Sequence, residues 1–143
     1  MKQKIVFILL TIMTIAAFYE RGYFSTNHYT ISNDAGNLEY AFNNQISNLQ
    51  VEGEGIVAKV LRDDTEDIRH QRFILRISGE QTVLIAHNID LAPRVENIKN
   101  GDKVKFFGEY EWNKKGGVIH WTHRDPNKKH VNGWIRYQDR QYQ

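Results

Sequence analysis

Hydrophobic and polar positions along this chain change their period several times, and the changes divide it. An unbroken apolar run from Ile5 to Phe18 follows Lys2 and Lys4. A short basic region before such a run is the pattern of a secretory signal peptide. The run falls short of the ~20 apolar residues of a spanning helix. Ala16 and Ala17 are adjacent, so the small-x-small cleavage pattern is poor. Residues 1–24 therefore read as a signal peptide or an uncleaved signal anchor. The two lysines set the orientation, with the following domain periplasmic or otherwise exported, and in the uncleaved case anchored to the inner membrane. Residues 25–36 are polar and read as a linker, leaving 37–143 as one domain.

Leu38, Ala41, Phe42 and Leu49 recur near helical spacing, which predicts a helix over about 37–48. Beyond Val51 the period becomes two. Gly55–Leu61, His70–Ile77, Gln81–His87, Lys103–Trp112 and Val118–His123 read as five strands. In the second, Phe73, Leu75 and Ile77 share one face while His70, Arg72 and Arg76 take the other. In the fourth, Val104, Phe106, Tyr110 and Trp112 share a face, and Glu109 and Glu111 share another. Residues 88–100 break the pattern and predict a short helix or packed loop. The whole predicts a mainly β fold: a small five-stranded OB-fold-like barrel with an N-terminal helix, preceded by a hydrophobic export segment. An SH3-like barrel or a half-open roll is the alternative.

Composition narrows the chemistry. The 143 residues include no cysteine, which excludes disulfides, thiol nucleophiles, Cys-based zinc sites and a lipid-modified N-terminal cysteine. The net charge is only +2, yet from Trp112 to Gln143 seven basic residues face two acidic ones. Such a tail attracts phosphate, nucleic acid or anionic lipid, or simply solvates the surface.

Five of the six histidines follow residue 69, and three of them lie between Gly116 and His130 together with Arg124 and Asp125. Histidine nitrogen and carboxylate oxygen suit zinc and its neighbours, so His120, His123 and Asp125 are metal candidates. On a continuous strand His120 and His123 would point to opposite faces, so both reach one ion only if the strand ends near Thr122. No cofactor is specified, and a divalent metal is compatible with these ligands. For hydrolysis the catalytic candidates are His70, His120, His123 and Glu109, with histidine as acid or base near neutral pH. Glu109 and Glu111 have an alternative role as cross-strand ion-pair partners on an exposed sheet. For ligand binding the candidates are Arg72, His87, Asn88, Arg94, Glu111, Trp112, Arg124, His130 and Trp134. Arginines grip phosphate bidentately, and aromatics flanked by positive charge stack single-stranded bases. Tyr110, Trp112, Trp121, Trp134 and Tyr137 also suit a core, and Trp121 reads as core. The acidic run 63–67 lacks the glycine and spacing of a calcium loop and reads as solvated.

Several longer words are distinctive in combination: His70-Gln71-Arg72-Phe73, the run from Leu84 to Arg94, Gly108-Glu109-Tyr110-Glu111-Trp112, and Gly116 to His123 followed by Asp125-Pro126, His130 and Gly133-Trp134. In these the chain resembles a bacterial family known as domain of unknown function 3465, over about residues 38–143. The resemblance implies a small exported domain of Gram-negative bacteria, some members being carried on mobile gene cassettes. It implies no activity, and it marks these polar positions as site candidates without giving them roles.

Three functions follow as expectations. The first is an exported β-barrel module binding an anionic ligand, a nucleic acid or envelope polymer, through a His/Arg/Trp surface. The second is a small periplasmic hydrolase of nuclease or phosphodiesterase type, with or without a metal, which predicts that His70, His87, His120 and His123 gather in one pocket. The third is an envelope protein-interaction module using the barrel edge.

Overall fold

A computed structural model of the protein describes residues 35–143. One helix, α1 (Ala35–Asn43), precedes seven strands: β1 (Leu49–Val60), β2 (His70–Ser78), β3 (Gln81–Asn88), β4 (Lys103–Glu111), β5 (Val118–His120), β6 (Trp134–Tyr137) and β7 (Arg140–Tyr142). The hydrophobic segment read as an export signal lies outside the described residues. Among those described, no helix is long and apolar enough to cross a membrane.

Five of the strands close a barrel. Their order is β1-β2-β3-β5-β4, and β1 returns to pair with β4. All of these pairings are antiparallel except β3 with β5, where Leu84 faces Val118 and Ile85 faces Ile119 in parallel. Closure depends on β1 serving two partners. Its first half pairs with β4, from Leu49 opposite Tyr110 to Ile56 opposite Lys103. Its second half pairs with β2, ending at Val60 opposite Phe73. The β1–β2 register shifts between Val57 and Lys59, and Gly53 permits close packing within the β4-paired half: a Cβ there would lie 2.7 Å from Phe106 Cζ.

The period-two pattern decides what fills the barrel. Phe73 and Leu75 of β2, Val83 and Ile85 of β3, and Val104, Phe106 and Tyr110 of β4 are buried in one cluster with Val51, Val57 and Ile119. Leu38 and Ala41 of α1 join the same cluster. Two polar side chains also point inward, and both tie down the connection between β3 and β4. Gln71 donates from Nε2 to Val95 O (2.9 Å) and accepts from Val95 N–H at Oε1 (2.8 Å). His87 Nε2 lies 3.1 Å from Pro93 O. Residues 89–102 thereby form a packed loop without a helix, with Ala92 and Val95 buried.

The observed elements differ from the expected ones in four places. The helix ends at Asn43 rather than near 48 because Gln45 adopts a left-handed conformation (φ 54°). Gln45 N–H then bonds Phe42 O and Ile46 N–H bonds Ala41 O, which terminates the helix and satisfies its last carbonyls. The first strand begins at Leu49, not Gly55, because pairing with β4 holds Val51–Glu54 extended despite their glycine and glutamates. The fifth strand stops at His120 because Trp121 turns left-handed (φ 51°). Finally, β6 and β7 add an unanticipated hairpin to β4, with Ile135 and Tyr142 buried on its inner side.

Candidate metal centre

The alternation of β4 places Lys103, Lys105, Phe107, Glu109 and Glu111 on the outer face of the barrel. β5 runs alongside with Glu109 opposite His120 and Glu111 opposite Val118. Register therefore brings His120 Nε2 to 3.4 Å from Glu109 Oε1 and 4.0 Å from Glu111 Oε1. The three groups offer ligand atoms that all lie within 4.8 Å of one another, an arrangement able to hold a divalent cation. Ligands at ~2.1 Å around a tetrahedral ion stand ~3.4 Å apart, so the spacing is of the right size.

His120 Nε2 is shielded from solvent yet makes no aligned hydrogen bond. Burial pushes the imidazole below the usual histidine range and outweighs the upward pull of Glu109 and Glu111. The ring is thus a neutral nitrogen donor facing two carboxylates.

A loop behind β5 fixes the orientation of Glu109. His130 Nε2 lies 2.7 Å from Glu109 Oε2, and His130 Nδ1 lies 2.8 Å from Val131 O. A carbonyl only accepts, so Nδ1 carries a hydrogen and Nε2 is the atom that faces the carboxylate. The His130 ring stacks on Trp121 with centroids 4.1 Å apart and planes 10° from parallel. With Oε2 held in this way, Oε1 is turned to His120. Asp125 shapes the loop: its carboxylate accepts N–H bonds from Asn127 (2.9 Å), Lys129 (2.7 Å) and His130 (2.8 Å). These donors hold its carboxyl below the usual range. Gly133 closes the loop against the carbonyls of Trp121 and Phe107, where a Cβ would overlap both oxygens.

The remaining candidates lie elsewhere. His123 is buried, with Nδ1 2.8 Å from Arg124 O, and does not join the clustered ligand atoms even though the strand ends at His120. Asp125 is committed to backbone donors. Of the metal candidates His120, His123 and Asp125, it is therefore His120 that sits in the cluster. His87 lies inside the barrel between Thr122 Oγ1 (2.8 Å) and Pro93 O, and burial lowers its pKa to about 4. His70 Nδ1 meets Ile68 O at 2.9 Å, and His70 stands opposite Asn88 in the β2–β3 ladder. Among the described residues no hydrogen bond joins any two of His70, His87, His120 and His123, although His123 and His70 lie near enough to act on His87 by their charge. Arg72 donates to Arg62 O, Arg94 pairs with Asp63, and Asn88 caps the turn at Asp90 and Leu91. Trp112 pins the helix, donating from Nε1 to Phe42 O at 3.0 Å and from its backbone to Ser47 Oγ at 2.9 Å. Arg124 is exposed beside Gln143. Trp134 is half-buried, 6.1 Å from Phe107 and under Arg136 at 4.3 Å. The union of Glu109 with His130, and the support from Trp121, have no signal in local spacing. The run Asp125-Pro-Asn is a readable turn signal for the loop that carries His130.

Fold and site together define a small closed β-barrel domain with a candidate His/Glu/Glu metal centre on its outer face. The family model for proteins of unknown function designated DUF3465 matches residues 23–143, and the chain belongs to that family. No curated protein matches the chain.

Proposed function

We propose that this protein is an exported OB-type barrel module that holds one divalent metal ion at Glu109, Glu111 and His120 and uses it to bind an anionic ligand. The observation that carries this reading is His120 Nε2, shielded from solvent, 3.4 Å from Glu109 Oε1 and 4.0 Å from Glu111 Oε1, with no well-aligned hydrogen bond to either. Burying a polar nitrogen in that state is costly unless something else satisfies it. Two carboxylates and a neutral imidazole balance a divalent charge, and three protein ligands leave an open position for an oxygen anion. Support for the OB type comes from the strand order, the β1–β4 closure and the parallel β3–β5 pairing. Support for export comes from Lys2, Lys4 and the apolar run 5–18.

Titration calorimetry with Zn²⁺ and Mn²⁺ tests the reading. One ion binds per chain, and His120→Ala and Glu111→Gln each abolish saturable binding while leaving the fold intact by circular dichroism. Wild-type protein without saturable binding of either ion ends the proposal.

A second reading, metal-assisted phosphodiester hydrolysis, draws on the Glu109–His130 pair beside the open position. An imidazole hydrogen-bonded to a carboxylate has the geometry of an acid–base pair. Turnover of bis-p-nitrophenyl phosphate with added metal, lost in His130→Ala, is its expected mark. Equal rates for the two proteins count against it.

A further inference from the structure

We infer that the anionic ligand is single-stranded nucleic acid, laid along the outer face of the β4–β6 pair so that one phosphate meets the metal centre. This rests on the metal reading above and names the ligand of that same site.

Register carries the inference. β6 lies beside β4 with Lys105 opposite Arg136 and Phe107 opposite Trp134. One step further along the same face, Glu109 lies opposite His120. Outward positions on a strand recur every ~7 Å. A cationic pair, an aromatic pair and the metal cluster therefore follow one another in a line. The other neighbour of β4 shows opposite chemistry. β1 sets Glu54 beside Lys105 and Glu52 beside Phe107. Glu54 also holds Lys103 at 2.7 Å and Lys105 at 3.9 Å. An anionic chain is thus turned away from β1 and toward β6.

On the β6 side the positive charge is open. Among the described residues, Arg136 hydrogen-bonds only the neutral Gln141 side chain, at 2.6 Å, and lies 4.3 Å over the Trp134 ring. Among the same residues, Lys114 and Lys115 of the β4–β5 turn and Lys128 and Lys129 of the His130 loop form no ion pair. Lys128 and Lys129 directly precede His130, the residue that meets Glu109.

The line calls for a ligand that alternates anions with flat faces. A guanidinium stacked on indole offers a cationic plane that takes a base on its face while its charge meets phosphate. An acidic polysaccharide supplies the charge but not the flat π face. A duplex hides its bases, so the strand must be single. Without metal, Glu109 and Glu111 repel phosphate; with it, their site accepts a phosphate oxygen. Binding therefore depends on the ion.

The test uses the purified chain, a fluorescein-labelled fifteen-residue oligo-dT strand and Mn²⁺. Fluorescence anisotropy shows binding that requires Mn²⁺ and weakens steeply as NaCl rises. Trp134→Ala and the surface variant Arg136→Ala each weaken it about tenfold, while calorimetry shows Mn²⁺ stoichiometry unchanged. Mn²⁺ uptake without oligonucleotide binding, or binding indifferent to both variants, overturns the inference and leaves the metal reading standing. Equally tight Mn²⁺-dependent binding of polygalacturonate overturns the choice of nucleic acid. If Mn²⁺ does not bind, the measurement is made with Zn²⁺, and failure of both ions to bind removes both readings.

Discussion

His130 Nε2 lies 2.7 Å from Glu109 Oε2, although the residues are 21 positions apart and belong to a loop and a strand. The contact sets the orientation of a carboxylate that also faces His120. Groups that orient ligands in this manner typically contribute ~10–100-fold to metal affinity. His130→Ala is therefore expected to weaken Mn²⁺ binding by about that factor in calorimetry, with His130→Gln recovering part of the loss through its amide donor. Unchanged affinity in His130→Ala would show that Glu109 is positioned without it.

His87 gives the fold a pH dependence of its own. Burial lowers its pKa to about 4 from the ordinary 6.5, and Thr122 and Pro93 hold the neutral ring. Below 6.5 the unfolded chain takes up a proton that the folded chain refuses. Stability therefore falls as pH drops from about 6.5 to about 4, by up to roughly 3 kcal/mol, and this contribution is flat above and below that window. Urea midpoints measured at pH 7, 5.5 and 4.5 should decline accordingly. His87→Gln should be less stable at pH 7 but show a shallower decline. The same slope in both proteins would assign the effect to other groups.

Asp125 acts at lower pH and with the same net sign. N–H groups of Asn127, Lys129 and His130 hold its carboxyl below the usual carboxylate value. Its contribution is complete above that usual value and is lost as pH falls through the lowered one. Asp125→Asn should lower the melting temperature at pH 7 and flatten the acid limb below about pH 4. It should also weaken metal binding, because the loop that carries His130 loosens. A variant with wild-type melting and metal affinity would separate the loop from the centre.

Gly133 is the tightest point behind the site. A methyl group there overlaps the carbonyl oxygens of Trp121 and Phe107, which are backbone and cannot rotate away. Gly133→Ala is expected to cost about 1–3 kcal/mol, read from chemical denaturation, and to disturb the Trp121–His130 stack. Trp121 fluorescence should change with it. A variant of full stability would mean that β6 and the turn at Trp121 can move apart freely.

Much of the barrel is legible in the sequence because burial on one face of a strand imposes a period of two. Phe73 with Leu75, and Val104 with Phe106 and Tyr110, mark the inner faces of β2 and β4 correctly. The same alternation puts Glu109 and Glu111 together on the outside. The ends of elements are less legible. They depend on single left-handed residues, Gln45 and Trp121, whose side chains do not advertise that conformation. β6 and β7 escape a reading by period because three- and four-residue strands carry too few positions to show one.

The sequence by itself determined a helix followed by a β domain, the inner and outer faces of its main strands, and the residue types a site can use. Only tertiary structure decided which of them meet. Strand register set Glu109 opposite His120 rather than His70 or His87, and a left-handed Trp121 ended β5 at His120. Loop closure over Asp125 then carried His130 back to Glu109. Register and loop closure are fixed by long-range packing and backbone hydrogen bonding, which local periodicity does not encode.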